Sequence, residues 1–156
     1  GKLAAQPLTL GFNDPQTNAR LWGKLDDCVV LAGAKLAPLD HKTRASAPDD
    51  VSYTQRYYQF QMDVYTLLLE RNGHPTSRTA YVVYYFPLEG ELDQGFPFGV
   101  DVHTIETDPE GAYEIFAAAC RCLAGSLPSC AAACAYCRWA QIRHETPVGV
   151  PDDLFA

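Results

Sequence analysis

The stretch Leu21–Ala45 reads LWGKLDDCVVLAGAKLAPLDHKTRA and determines the fold that the sequence predicts. It contains two runs of strand-forming residues, Trp22–Leu31 and Lys35–Arg44. Between them lies Ala32-Gly33-Ala34, and a short loop that contains glycine is typical of a β-hairpin. The stretch therefore predicts two antiparallel strands joined by a tight connection.

The register of this hairpin brings two acidic side chains and one basic side chain together. A hairpin centred on Gly33 pairs residues that are equally far from it, so Asp26 lies opposite Asp40. Side chains alternate along a strand, so Lys42 shares the face of Asp40. Opposed carboxylates destabilise a hairpin by about 0.2–1 kcal/mol, and a bound cation would turn their repulsion into coordination. Pro38 cannot donate to the ladder and is a candidate β-bulge, which would shift this register by one residue.

A helix is predicted after the hairpin, over Tyr53–Asn72. Its candidate N-caps are Asp49, Asp50 and Ser52, and Gly73 is a natural C-terminal stop. Gln61 and Tyr65 are four residues apart and share one helix face. The same stripe continues to Leu68, which is expected in the core, whereas Asp63 is expected to face solvent.

The rest of the chain predicts further strands and one more helix. The order of elements predicts a single mixed α/β domain over 1–156, built on a small sheet, with a cysteine-rich tail from about residue 129. The predicted segments are the strand Leu8–Phe12, the turn Asn13–Gln16, the buried strand Thr79–Phe86, the acidic turn region Pro87–Gly95, the alternating strand Phe96–Ile105 and the helix Pro109–Ala124.

The chain has a net charge of -7, and an acidic chain is a poor general binder of polyanions. This argues against a nucleic-acid partner unless some acids bind metal and basic residues cluster near them. No apolar run is long enough to span a membrane, and we expect a cytoplasmic protein without a membrane partner. A soluble acidic domain with scattered charge is the alternative. The basic residues on or near the hairpin and helix are Lys24, Lys42, Arg44, Arg56 and Arg71.

Three short motifs occur in a fixed order: Gly23-Lys24-Leu25-Asp26, Leu39-Asp40-His41-Lys42-Thr43 and Gln61-Met62-Asp63-Val64-Tyr65. Together they resemble the G-x-I/L-D, D-x-K-T and Q-x-x-x-Y signatures of the PD-(D/E)XK nuclease superfamily, in its RecB-like branch. That branch includes CRISPR-associated and helicase-linked exonuclease domains. The segment Cys134–Trp139 is similar to the cysteine segment that often closes these domains. The resemblance implies a restriction-endonuclease-like fold, in which helices flank a mixed β-sheet.

The resemblance also implies an activity: divalent-metal-dependent, exonuclease-like hydrolysis of DNA phosphodiester bonds, in DNA repair, recombination or phage/CRISPR-type defence. Asp26 and Asp40 would bind Mg²⁺ or Mn²⁺, together with the backbone carbonyl of His41. Lys42 would orient or deprotonate the attacking water. The implied partners are single- or double-stranded DNA and a helicase or other nucleic-acid-processing protein. The residues that would line the site and contact the nucleic acid or the water are Gln61 and Tyr65.

The chain departs from the family pattern near its beginning. Many relatives carry a helix before the first strand, with a Glu or His that helps to bind metal. Here no histidine precedes His41 and no acid precedes Asp14. A catalytically silent module that binds nucleic acid or a protein partner is therefore the alternative function. Under it, Lys42 is a surface charge, and Gln61 and Tyr65 lie at the rim of the core.

The last three cysteines, Cys130, Cys134 and Cys137, form a C-x3-C-x2-C pattern. Some RecB-like relatives bind an iron–sulfur cluster through four cysteines, one of them near the N-terminus, but no cysteine precedes Cys28 here. Zinc held by the three thiols and His144 is a second alternative, although the spacing is not that of a standard finger. Free thiols in a packed tail are what we expect.

Overall fold

The computed structural model describes residues 2–4, 8–90, 95–126 and 129–145, with the backbone alone for residues 8 and 141–145. Contacts divide the chain into two compact units, Gly1–Arg121 and Cys122–Ala156. No helix in the described ranges is long and apolar enough to cross a membrane. The predicted acidic turn Pro87–Gly95 lies partly outside the described residues.

The first unit is built on two β-sheets. A five-stranded sheet has the order β1-β4-β5-β6-β7, with β5 and β6 parallel and the other neighbours antiparallel, and β2 and β3 form a separate antiparallel pair. The predicted mixed sheet is therefore confirmed. The elements are β1 Lys2–Leu3, β2 Leu8–Asp14, β3 Ala19–Leu25, β4 Asp27–Val30, β5 Leu36–Thr43, α1 Val51–Arg71, β6 Thr79–Pro87, β7 Phe98–Glu106, α2 Pro109–Ala124 and α3 Ala135–Glu145.

The β4–β5 hairpin has the predicted register, with Cys28 opposite Pro38 in a continuous ladder. The expected bulge at Pro38 is absent from this ladder. The N–H of Leu31 donates to the carbonyl of Lys35 at 2.8 Å, and pairs in an antiparallel ladder alternate. Pro38 therefore falls in a pair that exchanges no hydrogen bonds, so its missing N–H breaks no bond between β4 and β5. The loop turns through Gly33 at φ 71, a conformation that glycine adopts without strain.

The predicted strand Trp22–Leu31 is wrong as a single element, because a bend at Asp26 divides it into β3 and β4. The two halves belong to different sheets. Strand β3 packs closely on α1: a Cβ on Gly23 would lie 2.9 Å from Leu68 Cδ1, so only glycine allows this approach. The predicted turn at Asn13–Gln16 is also displaced, because β2 continues through Asp14.

Helix α1 begins and ends with recognisable caps. Asp50 accepts hydrogen bonds from the backbone N–H groups of Ser52 at 2.8 Å and Tyr53 at 3.3 Å, so one of the candidate N-caps is confirmed. At the other end, the N–H of His74 donates to the carbonyl of Leu69 at 3.0 Å, and Gly73 has φ 80. This is a Schellman motif, in which glycine stops the helix.

The helix packs between two apolar clusters and so joins the β2–β3 pair to the main sheet. One cluster contains Leu10, Leu25, Cys28, Leu68 and Leu69. The other contains Met62, Ala80, Val82, Tyr84 and Ile105. Leu68 is fully buried, as its place on the helical stripe predicts.

The expectation that Asp63 faces solvent is wrong, because its side chain is only 8% exposed. Its Oδ1 accepts hydrogen bonds from Gln59 Nε2 at 2.8 Å and from the backbone N–H of Asp108 at 2.9 Å. Burial raises the pKa of the Asp63 carboxyl, and these hydrogen bonds oppose the rise. Asp63 therefore connects α1 to the residue that precedes α2.

Candidate active site

Strand β5 carries Asp40 and Lys42 on the sheet face that α1 covers. Asp40 is 1% exposed and Lys42 is half-buried. Lys42 Nζ lies 2.5 Å from Asp40 Oδ2, an ion pair that lacks the geometry of a hydrogen bond. Among the described residues, no group donates a hydrogen bond to this Oδ2 atom. The ammonium of Lys42 therefore balances the charge on this oxygen at close range, and a ligand at Oδ2 would share the oxygen with Lys42.

Helix α1 contributes Gln61, whose amide contacts both of these side chains. Its Nε2 donates to Asp40 Oδ1 at 3.0 Å, and its Oε1 accepts from Lys42 Nζ at 3.5 Å. The same Nε2 also donates to the hydroxyl of Tyr65 at 3.0 Å, one helical turn further on. Gln61 thus holds one carboxylate oxygen of Asp40, and the ammonium of Lys42 lies against the other.

Asp26 lies at the bend between β3 and β4 and is exposed. The register of the β4–β5 ladder, continued by one residue, places it opposite Asp40. Burial raises the pKa of the Asp40 carboxyl; the positive charge of Lys42 opposes the rise, and the negative charge of Asp26 adds to it. The strand register and the electrostatic effect agree in placing the two carboxylates near each other.

These donors fit a hard divalent cation. Mg²⁺, Mn²⁺ and Ca²⁺ take oxygen ligands, and carboxylates are prominent among them. Asp40 offers a buried oxygen without a hydrogen-bond donor, and Asp26 offers an exposed carboxylate beside it. A cation between them would remove their mutual repulsion and stabilise both charged forms.

The family model of the PD-(D/E)XK nuclease superfamily matches residues 3–142. The chain belongs to the PD-(D/E)XK nuclease superfamily. No characterised protein and no solved structure matches the chain significantly. The predicted restriction-endonuclease-like fold is confirmed. Membership indicates nuclease activity on a nucleic-acid substrate, and PD-(D/E)XK nucleases generally use Mg²⁺ or a similar divalent metal.

In this PD-(D/E)XK chain, the side chain of His41 lies on the opposite face of β5 from Asp40 and Lys42. Its Nε2 lies 2.9 Å from Asp27 Oδ2 and its Nδ1 lies 3.1 Å from the hydroxyl of Tyr85. Both ring nitrogens of His41 therefore have partners on the face of the sheet opposite to Asp40 and Lys42. Any role of His41 in metal binding therefore belongs to its backbone carbonyl. That role stays a prediction.

Aromatic rings lie against the basic side chains near the site, and the sequence analysis did not predict these contacts. Lys42 Nζ lies 4.9 Å from the ring centre of Tyr58, and the Arg44 guanidinium lies 3.9 Å from that of Tyr53. Such cation–π contacts hold the charges in place. The alternation of Lys42 and Arg44 along β5, beside a tyrosine-rich helix, is the signal that could have revealed them.

The second unit holds the three predicted thiols close together. The sulfur atoms of Cys130, Cys134 and Cys137 all lie within 4.8 Å of one another. The backbone N–H of Cys137 donates a hydrogen bond to Cys134 Sγ at 3.4 Å, and this bond lowers the pKa of Cys134. Hydrogen bonding to the sulfurs of Cys130 and Cys134 raises the pKa of Cys137 to about 12. The side chain of His144, the predicted fourth ligand, lies outside the described residues.

Proposed function

We propose that this chain is a divalent-metal-dependent nuclease that hydrolyses DNA phosphodiester bonds. Asp26 and Asp40 bind Mg²⁺ or Mn²⁺, aided by the backbone carbonyl of His41. The observation that carries the proposal is the contact of Gln61 with both Asp40 and Lys42, because it joins the second and third motifs in one group. The same arrangement sets the Lys42 ammonium 2.5 Å from Asp40 Oδ2, which brings the proposed metal ligand and the proposed cationic residue together.

Each side chain has a distinct task in the reaction. When bound, the cation polarises the phosphoryl group, activates water and stabilises the leaving oxygen. The Lys42 ammonium, 2.5 Å from Asp40, adds positive charge where negative charge develops in the transition state. Gln61 fixes the Asp40 carboxylate, and the Tyr65 hydroxyl fixes Gln61. A preformed arrangement of this kind requires little reorganisation during the reaction.

A cleavage assay with a matched variant tests the proposal. Labelled single- and double-stranded DNA is incubated with Mg²⁺ or Mn²⁺, and wild type is compared with Asp40→Asn, which keeps the size of the side chain. Asp49→Asn is the control, since Asp49 is an exposed aspartate in the linker before α1. We expect cleavage by wild type and Asp49→Asn only. Cleavage by Asp40→Asn at the wild-type rate would refute the site.

The finer features of the proposal follow from the motif resemblance. The G-x-I/L-D, D-x-K-T and Q-x-x-x-Y motifs support a RecB-like, exonuclease-like enzyme of repair, recombination or phage defence. That assignment carries with it a helicase or similar partner and a cytoplasmic location. A comparison of linear with circular DNA tests the exonuclease character, because an exonuclease needs a free end.

The alternative function is a silent module that binds nucleic acid or a protein. It is favoured by the ion pair between Lys42 and Asp40, because this contact compensates the buried carboxylate without a metal. Calorimetry with Mn²⁺ separates the two functions. Binding by wild type that disappears in Asp40→Asn supports the nuclease, whereas no binding by wild type supports the silent module.

We also propose that Cys130, Cys134 and Cys137 hold a soft metal ion or cluster. Three sulfur atoms within 4.8 Å of one another can contact one centre, and thiolates favour zinc and iron–sulfur clusters over Mg²⁺. A structural zinc site takes four ligands, so a further ligand completes this one. The proximity of the three thiols favours this proposal over the free thiols that the sequence led us to expect.

A further inference from the structure

The outer face of strand β3 carries an alternating series of cation, indole and cation. Arg20, Trp22 and Lys24 are exposed, and Trp22 is 65% exposed. The intervening residues point inwards, where Leu25 is fully buried in the cluster on α1. Side chains on one face of a strand are spaced by roughly 6.6–6.8 Å. We call these three residues the β3 strip.

The two cations of the strip have no ion-pair partner within the part of the chain that the structure describes. The acidic residue Asp14 lies opposite Ala19 in the β2–β3 ladder, near the start of β3. It is 4% exposed, and its carboxylate accepts hydrogen bonds from Thr17 and Tyr113 rather than forming an ion pair with the strip. On a chain with a net charge of -7, two neighbouring uncompensated cations form a local site for anions.

The indole of Trp22 is also open on the side of the neighbouring strand. Gly11 lies directly opposite it in the β2–β3 ladder, and a Cβ on Gly11 would be 3.1 Å from Trp22 Cβ. The flanking positions of β2 on this face, Thr9 and Asn13, are exposed and polar. The sheet therefore leaves a flat aromatic surface uncovered and supplies no large side chain to pack against it.

We propose that the β3 strip binds an unpaired nucleic-acid strand and leads it to the Asp26–Asp40 site. A base stacks on Trp22, while Arg20 and Lys24 contact phosphates on either side. Stacking on an aromatic side chain needs an exposed base face, which a duplex hides within its stack. The strip ends two residues before Asp26, so a strand that follows β3 reaches the proposed metal site. This inference rests on the proposed function and names its substrate as unpaired.

Binding measured in EDTA isolates the strip from catalysis. The probe is a short fluorescein-labelled thymidine oligonucleotide, and its dissociation constant is read from fluorescence anisotropy. Trp22→Ala should weaken binding about 5- to 100-fold, the effect expected for removing one stacked base, and Trp22→Phe should retain more affinity than Trp22→Ala. Phe98→Ala is the control, because Phe98 is a 57% exposed aromatic on β7, away from the strip.

The two cations are tested through the salt dependence of the same binding. For single strands, the slope of log K against log salt concentration has a magnitude of about 0.7 for each phosphate that the protein neutralises. Arg20→Gln and Lys24→Gln should each reduce the magnitude of the slope by about 0.7. Lys35→Gln, which removes an exposed lysine beside the β4–β5 loop, should leave it unchanged.

Two results would overturn the inference. One is an equal affinity of Trp22→Ala and Phe98→Ala for the single strand. The other is a blunt duplex that binds as tightly as the single strand and is weakened to the same extent by Trp22→Ala. A deoxyuridine oligonucleotide compared with a uridine oligonucleotide tests the sugar alone: either preference supports the strip, because the base and the phosphate are the same in both. Strip-dependent binding without Mg²⁺-dependent cleavage would refute the proposed nuclease and leave the strip standing.

Discussion

Gln61 Nε2 lies 3.0 Å from Asp40 Oδ1 and joins helix α1 to strand β5 at the proposed metal site. The two residues are separated by 21 positions in the chain, and this hydrogen bond needs both the strand register and the helix phase to be correct. It fixes one oxygen of a buried carboxylate and leaves the other without a hydrogen-bond donor among the described residues. The ion pair with Lys42 compensates the charge on that second oxygen, because a buried carboxylate without a partner would be costly.

Replacing Gln61 by alanine should impair cleavage more than folding. The side chain is half-buried and orients Asp40, so its removal disrupts the preorganisation of the site. We expect turnover per folded molecule to fall by about tenfold or more, up to the effect of removing one electrostatic donor. The melting temperature should also fall, because the buried carboxylate of Asp40 loses a hydrogen-bond donor. A cleavage assay and a thermal melt on the same sample measure both quantities.

Gln59→Ala is the matched control for this experiment. Gln59 lies on the same helix but donates to Asp63 and to the carbonyl of Glu106, away from the proposed site. Its removal should destabilise the fold by about 1–3 kcal/mol, because a buried carboxylate is deprived of a donor, and leave turnover per folded molecule unchanged. If Gln61→Ala behaves as Gln59→Ala does, Gln61 is a core-rim residue without a role at the site.

Lys42→Ala should lower turnover by about a hundredfold or more, the scale of removing one electrostatic donor. The affinity for Mn²⁺ should stay constant or rise, because a positive charge 2.5 Å from Asp40 Oδ2 has been removed. Single-turnover cleavage and Mn²⁺ calorimetry check the two effects, with Lys35→Ala as an exposed control. Near-normal turnover of Lys42→Ala would show that this lysine is a structural counter-ion only.

Much of this site could be predicted from the sequence, because its geometry depends on residues that are close together in the chain. The short glycine loop set the register that places Asp26 opposite Asp40, and helical spacing placed Gln61 and Tyr65 on one face. These inferences needed only neighbours in the chain. The contact between helix and strand could be predicted only through the order of the motifs, because it depends on how α1 packs.

The errors share a physical cause, which is tertiary contact. Asp63 is buried because the backbone of Asp108 donates to it across 45 positions in the chain. The break at Asp26 was missed because strand-forming residues flank the two aspartates on both sides, whereas β3 and β4 pair with different partners. The sequence places Trp22 in a strand without indicating which face it occupies. The packing of Gly23 on Leu68 and the exposure of Trp22 show that the indole faces outwards.

Asp63 should make stability depend on pH in a direction opposite to that of most carboxylates. Burial raises its pKa above the ordinary value of 3.8 in the folded state, so the folded protein binds this proton more tightly than the unfolded chain does. As pH rises from about 3.8 through the folded pKa, the free energy of unfolding should fall. Asp63→Asn, which can still accept both hydrogen bonds, should lack this decrease.

Urea unfolding of both proteins across the acidic range measures the effect. The free energy of unfolding of Asp63→Asn minus that of wild type should increase as pH rises from 3.8. Asp49→Asn, at an exposed position, should track wild type. A difference that shrinks with rising pH would mean that the hydrogen bonds from Gln59 and Asp108 outweigh burial and lower the pKa.

The three clustered thiols should retain metal when the full chain is purified without chelator. Their sulfur atoms are close enough to share one centre, so we expect stoichiometric zinc or iron by elemental analysis, with visible absorption if the centre is an iron–sulfur cluster.

Cys134→Ser should lose most of this metal, because removing one of three thiolates from a site leaves too few soft ligands. Cys122→Ser is the control, since Cys122 is an exposed thiol outside the cluster. Metal-free protein in which all six cysteines titrate as free thiols after unfolding would instead support free cysteines. Mg²⁺-dependent cleavage, measured on the same samples, would show whether the thiol site and the carboxylate site act independently.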